Sequence, residues 1–513
     1  MRDRTTTGAS SPSVHSRDEQ TSDVAPIRTS SPLEFHLVRH NRVGGKLALA
    51  TVTASVMGGW LIANGSEGGS LSGGITVIVG YCLSVVAVAL VFMFVGPRMR
   101  QIMPWGYSLN EYVKHRFASR RGQRIPIILY WMTVGAMLLY MFVYLGVQLT
   151  VVSRMLEEVF SFPLFESSII IIAIVFVYAW IGGLKVSVLT DKIQVFFILP
   201  LLALCCIAIV MSLGGWNVAI AQTISRKPEL LSWQNYEGIG FALSLIIAFA
   251  TAELFNQANW QRVFLCKDDL TVRQSFLGTM FIAPPLILLV GLVGMIASGR
   301  DFEGTLAFFD LLSRTPLPNW VSAIAVLLTT GLVMSSMDSL FNGIIAVLTG
   351  EIIRYSWTNL KNRDATESHA LIASRVLAIS VALPVVVVAL DNNVFYLFFV
   401  SNVISAGLAF PIFYSFFNRH QTPANALGSS ILGIAAATLF LAKPDFTPLF
   451  NIPGGGNFLV SLAAGLFVSV VATLIWTSVD RKRKDTESFS YSELRDKTDI
   501  AQVFINPVDY QTE

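Results

Sequence analysis

Charge is what this sequence lacks most. Of its 513 residues only 13% are Asp, Glu, Lys or Arg, against about 25% in an ordinary soluble domain. So few charges cannot cover the surface of a soluble protein this size, so much of that surface must face lipid. The net charge of +3 is too small to argue for a nucleic-acid partner. Histidine is scarce too, with six residues placed in tails and loops or singly, and no nucleophile–base constellation recurs. That argues against an enzyme. The four cysteines (Cys82, Cys205, Cys206, Cys266) lie within or beside apolar segments and make no metal spacing, so they read as reduced core residues. No short apolar region stands near the start, so no cleavable signal peptide is expected, and Asp3, Asp18, Glu19 and Asp23 argue against an organellar transit peptide.

What the chain has instead is long apolar runs. About twelve are long enough to span a bilayer, which takes roughly 20 residues each. They cover 46–65, 73–96, 125–152, 167–184, 188–213, 239–256, 275–298, 320–348, 371–390, 394–417, 423–442 and 457–478. The expected class is an all-α polytopic membrane protein. Its parts are a disordered cytoplasmic tail (1–42), a core (43–420), two additional transmembrane helices (421–479) and a cytoplasmic C-terminal tail (480–513). Lys and Arg favour cytoplasmic loops near helix ends. With the N-terminus inside, inner loops hold Arg39, Arg98, Arg116, Lys185, Arg262, Arg354, Arg419 and the Arg481–Lys484 cluster among others. Outer loops hold only Arg154, Arg226, Lys227, Arg300, Arg314 and Lys443. Both termini are therefore placed in the cytoplasm.

Polar residues inside these runs are the candidates for function. Gly58-Gly59 interrupt the first run, and two glycines cost roughly 1 kcal/mol each relative to alanine. A break there frees carbonyls, which lipid tolerates only where they line a cavity or bind something. Close helix packing is the alternative reading. In the eighth run, GLVMSSMDSLFNG, spacings of three and four put Ser335, Asp338 and Ser339 on one side of a helix. Hard oxygens there suit an alkali cation, and a mid-membrane carboxylate is a functional candidate by default. The alternative is an Asp hydrogen-bonded to neighbouring hydroxyls for structure alone. Between the fourth and fifth runs, Gly182-Gly183 are expected to turn sharply, with Thr190, Asp191 and Gln194 opening the next helix. Asp191 is either on an ion path or neutralised by Lys185 or Lys192. In AELFNQANWQRVFL, Glu253, Asn256 and Gln257 interrupt apolar sequence, while Trp260 and Arg262 read as interface anchors.

Four segments carry a specific resemblance. TASVMGGWLIANG, with Ala54, Ser55, Met57, Gly59 and Trp60, resembles the first core helix of proline transporters in the sodium:solute symporter family. YSLNEYVKHRF (107–117) resembles that family's T-L-P-E-Y-L-x-x-R-F loop, and GGLKVSVLTDKIQ its G-G-L-x-A-V-x-x-T-D-x-x-Q turn. MSSMDS resembles its sodium-binding segment. The resemblance implies about 12 transmembrane helices, with two five-helix inverted repeats of the leucine-transporter-like kind plus two C-terminal helices. It implies Na+ as coupling ion, held by the carbonyls of Ala54, Met57 and Leu332 and the hydroxyls of Ser335 and Ser336. From their own positions in the runs, Asp191, Asp338, Thr190 and Gln194 are candidates for the coupling or exit path, and Gly58, Trp60, Glu253, Asn256 and Gln257 for substrate binding. Departures narrow the substrate: Val56 stands where proline transporters have aspartate, Leu61 where sugar transporters have glutamine, and Ala252 near the sugar transporters' aromatic gate. NQANWQR resembles the urea-transporting branch. Many relatives carry an additional helix before the first core helix, which is not expected here. The expected activity is sodium-coupled import of a small polar organic solute, urea-like or amino-acid-like, across the plasma membrane. Lipid is the only other partner expected, with no obligate protein. Proton coupling through Asp338 or Glu253 is the competing mechanism. A transporter-like sensor is the competing class, but the tail of about 35 residues shows no output domain.

Overall fold

The computed structural model describes residues 43–59, 61, 73–117, 124–302, 307–315, 319–360, 363–390, 394–445, 447–482 and 488–495. Within them the backbone is helical, with two isolated β-bridges and no strand. Helix is what lipid requires, since each backbone N–H and C=O must be satisfied inside its own segment. The helices are α1 (Gly45–Ser55), α2 (Gly74–Ile102), α3 (Leu109–Phe117), α4 (Arg124–Phe160), α5 (Leu164–Ile193) and α6 (Leu199–Ser212). They continue as α7 (Trp216–Arg226), α8 (Tyr236–Ala252), α9 (Gln257–Leu265), α10 (Asp269–Ser298), α11 (Ala307–Arg314) and α12 (Asn319–Leu360). The last are α13 (Arg363–Leu390), α14 (Val394–Tyr414), α15 (Pro423–Leu439), α16 (Phe458–Lys482) and α17 (Ser492–Arg495).

Among the described residues, eight helical stretches are long and apolar enough to cross a membrane. Each coincides with one of the expected runs. Three shorter apolar helices, Leu164–Val177, Ile379–Leu390 and Pro423–Leu439, fall on three more. The remaining run, 46–65, is α1 and the break that follows it. Large apolar side chains such as Phe94, Trp131, Phe281, Leu327 and Phe467 stay exposed, as a lipid-facing surface requires.

One expectation fails locally. No turn forms at Gly182-Gly183; the helix runs unbroken from Leu164 to Ile193. Glycine weakens a helix without ending it, and the irregularity comes later, as a π-helical turn at Gln194–Ile198. Such turns are frequent at functional positions.

α2 packs most extensively against α10 and α8. Its crossing with α8 is so close that a Cβ at Gly80 would lie 2.3 Å from the Ala242 Cβ. The first helices of the two repeats, α1 and α8, both stop at mid-course, at residues 56–58 and 253–256. Their distal pieces are tied together: Val43 N–H donates to the Leu265 carbonyl (3.1 Å), and Lys267 N–H to that of Val43 (2.9 Å). Arg100 at the end of α2 donates to the Val263 and Cys266 carbonyls and pairs with Asp269 at 3.0 Å. A cation on those last carbonyls favours the C-terminus of α9. α1 and α9 therefore form one unit.

The segment 488–495 folds back onto the helix ends on the same side as Arg98, Arg116 and Arg419. Tyr491 donates to the Ser415 carbonyl at 2.6 Å, with Arg98 and Arg419 over its ring at 5.1 and 5.5 Å. Arg116 lies over Phe489 at 4.3 Å, and Leu494 is fully buried. Tyr491 and Leu494 thus anchor the segment, while Ser492 and Glu493 between them stay exposed. Tyr491→Ala removes a hydrogen bond and two cation–π contacts, together about 2 kcal/mol. Hydrogen exchange in 488–495 should quicken accordingly while the transmembrane helices keep their protection; equal exchange in both proteins would mean the packing is not a latch.

Candidate functional site

α1 ends at Ser55, and the next residues cannot continue it. Val56 caps it, Met57 N–H reaches only the Ala54 carbonyl at 3.2 Å, and Gly58 bends away. Gly59 N–H donates instead to Gln148 Oε1 of α4 at 2.7 Å. The break also needs glycine for space, because a Cβ at Gly58 would lie 2.8 Å from both Gln148 Nε2 and Ser336 Oγ. The helix thus breaks at Gly58-Gly59 and its neighbours come close there.

Across from the break, Ser336 of α12 donates to the Met57 carbonyl at 2.8 Å and lies 3.3 Å from the Leu332 carbonyl. Three of the five oxygens expected at a sodium site thus converge. All are hard neutral donors of the kind an alkali cation takes. Ser335 turns instead to Asp191 Oδ1 at 2.8 Å. Ala54 stands one turn earlier, its carbonyl taken by the Met57 N–H.

Asp191 of α5 is fully buried and is the hub of the region. Thr51 Oγ1 donates to its Oδ2 at 2.5 Å, and the Arg262 guanidinium of α9 pairs with the same oxygen at 3.0 Å. Arg262 further donates to Ser339 Oγ (2.6 Å), the Thr51 carbonyl (2.9 Å) and the Ala258 carbonyl (3.0 Å). Both side chains are excluded from solvent, at 1% and 0% exposure. The partner of Asp191 seen in the structure is therefore Arg262 and not Lys192. Lys192 points to the surface, and the Lys185 side chain lies outside the described residues. One guanidinium joins α1, α5, α9 and α12 and shuts their junction off from solvent.

The other path candidates fall around this hub. Asp338 is fully buried; Asn342 donates to its Oδ1 at 2.8 Å, and its Oδ2 has no hydrogen-bond partner. Gln194 opens the π-helical turn and donates to the Gly331 carbonyl at 2.9 Å, tying α5 to α12 beside Leu332. Thr190 bonds back to Val186 and Ser187 of its own helix.

At the second break Glu253 accepts from Tyr140 (2.7 Å), Asn256 (2.9 Å) and Asn259 (2.7 Å). Asn256 also caps α9 through the Ala258 N–H at 3.1 Å. Asn259 reaches Ser55, the last residue of α1, at 3.5 Å, so the two breaks touch. Gln257 does not join them: its amide donates to the Tyr107 carbonyl at 2.5 Å. Trp60 lies outside the described residues. Sequence reasoning passed over Thr51, Tyr140, Gln148 and Arg262. Gln148 had a visible signal, as the one amide side chain in α4. Arg262 resembled an interface anchor because its partner is 71 residues away.

Comparison with known proteins agrees with this architecture. A model of the sodium:solute symporter family matches residues 39–433. The chain is 26% identical to a spermidine transporter of Candida albicans over 395 residues, which is 75% of this chain and 70% of that one. It is 22% identical to the sodium/glucose cotransporter of Vibrio parahaemolyticus over 425 residues, covering 77% and 76%. In fold it is similar to a Na+-coupled sialic acid symporter solved substrate-bound and outward-open, with TM-score 0.68, 17% identity, and 87% and 92% of the two chains covered. Long apolar helices, paired helix breaks and a family match over most of its length make this chain an integral membrane transporter that belongs to the sodium:solute symporter family.

Proposed function

We propose that the protein is a secondary active symporter that uses an inward sodium gradient to import a small polar organic solute. The observation that carries this is the contact of Ser336 with the Met57 and Leu332 carbonyls, which joins the broken first helix to α12. A cation taking those oxygens holds the two elements together, and its departure lets them part. On the side joined by Arg262, Asp191 and Asp338 supply negative charge to an ion leaving by that route, with the Ser335 hydroxyl as a further oxygen. The similar proteins carry cargoes as unlike as spermidine and glucose by name, so the cargo of this chain depends on its own residues between the two breaks. The solute enters between the two breaks, and alternating access follows from the α1–α9 unit moving against α5 and α12. The Lys and Arg distribution supports cytoplasmic termini, and a plasma-membrane location fits an importer.

Ser335→Ala with Ser336→Ala tests the ion site. A sodium ion short of two hydroxyl oxygens loses about 1–3 kcal/mol of binding. The sodium concentration for half-maximal uptake should therefore rise roughly tenfold or more, with normal amounts in the membrane. Unchanged sodium dependence would remove these residues from the site.

A further inference from the structure

Glu253 is a buried carboxylate whose partners are all neutral. It is 5% exposed and receives three hydrogen bonds, from Tyr140, Asn256 and Asn259. Among the described residues no Lys or Arg pairs with it. Asp191, by contrast, has its guanidinium. An unpaired charge at mid-membrane is costly, and is kept where a cation visits it. A carboxylate has about four lone-pair positions, so three donors leave it able to accept one more.

Its surroundings are aromatic. Tyr140, Tyr144 and Phe398 pack with centroids 5.2–5.8 Å apart, and Tyr81 packs edge-on to Phe249 at 5.8 Å. Tyr81 and Tyr144 both lie within electrostatic reach of Glu253. Aromatic rings clustered around a carboxylate suit an organic cation, which gains from both. Tyr140, Tyr144 and Gln148 are spaced by four along α4, so they line one face over about 12 Å. At the far end Gln148 is fully buried; its Oε1 accepts from the Gly59 N–H, and its side chain lies within reach of the Tyr144 hydroxyl. An acceptor thus stands at one end of the track and an amide donor at the other.

We propose that this track binds an organic ammonium, with the charged nitrogen on Glu253 against the aromatic rings and a neutral acceptor on the tail meeting Gln148. The inference rests on the transport reading above and specifies its cargo. A neutral polyol or urea leaves the carboxylate uncompensated, and an anion is repelled by it. Selectivity of this kind is strong because a buried polar group left unpaired penalises the wrong ligand.

The test uses purified full-length protein and measures thermal stabilisation by sodium alone, and at saturating sodium by n-butylammonium or its neutral counterpart 1-butanol. Sodium should stabilise the protein, butylammonium should add to that, and butanol should not. Glu253→Gln should weaken butylammonium binding by about thirtyfold or more and keep the sodium shift. Equal effects of the amine and the alcohol on the unmodified protein, or an unchanged amine affinity in Glu253→Gln, would overturn the proposal. The first comparison needs no variant, so it decides even if Glu253→Gln cannot be recovered folded. Sodium stabilisation without amine preference sinks the Glu253 assignment and leaves symport standing. Amine binding without any sodium shift does the reverse.

Discussion

Arg262→Leu is expected to open the junction that Arg262 shuts off from solvent. The substitution strips Asp191 of its counter-charge and leaves the Thr51 and Ala258 carbonyls and the Ser339 hydroxyl without their donor. Removing one member of a buried ion pair costs about 3–5 kcal/mol. Most of that cost falls on the closed state, because in the open state Asp191 is wetted. A shift of this size changes the closed-to-open ratio by roughly two to three powers of ten. The protein carries its own reporter. Cys266 ends α9, is buried in this state, and sits where α1 and α9 are tied. Maleimide labelling at Cys266, located by peptide mass mapping, should accelerate sharply in Arg262→Leu, and sodium-driven accumulation should collapse. Asp191→Leu combined with Arg262→Leu removes both charges and should label more slowly than the single variant. If the double variant is no slower, the two residues do not act as a pair.

Gly58→Ala is expected to damage the proposed ion site without removing a ligand atom. The added Cβ would meet Gln148 Nε2 and Ser336 Oγ at 2.8 Å each. Gln148 is anchored through the Gly59 N–H, and Ser336 is a short side chain on a packed helix whose Cβ would itself lie 3.0 Å away, so neither yields cheaply. Overpacking of this kind costs about 1–3 kcal/mol. The relief available is separation of α12 from the break, which lengthens the distance from Ser336 to the Met57 carbonyl. Half-maximal sodium should rise roughly tenfold, much as in the serine variants, although no oxygen has been removed. A normal sodium dependence would mean that the break tolerates a methyl group and that its geometry does not define the ion site.

The two breaks and the ion site were legible in sequence for different reasons. Gly58-Gly59 and the serines of MSSMDS announce themselves because polar or flexible residues inside a long apolar run have few explanations. The family resemblance pairs them across 279 residues, and in the structure Ser336 donates to the Met57 carbonyl. Asp191 was recognised as important, but its partner was sought among neighbouring lysines. Local charge balance is the natural guess at a wet helix end. A fully buried aspartate instead needs a partner buried with it, and that partner comes from another helix. Gln257 was grouped with Glu253 and Asn256 by adjacency. The capping of α9 by Asn256 turns consecutive side chains to different faces, which sends Gln257 toward Tyr107. The turn expected at Gly182-Gly183 failed because a glycine pair permits a turn without demanding one.

Uptake by the purified protein in liposomes addresses the central claim most directly. Radiolabelled small solutes, amines included, are followed with an inward sodium gradient and with sodium replaced by potassium at equal osmolarity. The account predicts that at least one cationic amine accumulates beyond its outside concentration when sodium flows inward, and only equilibrates when potassium replaces it. Uptake of the same solute to the same level in both conditions would contradict sodium coupling.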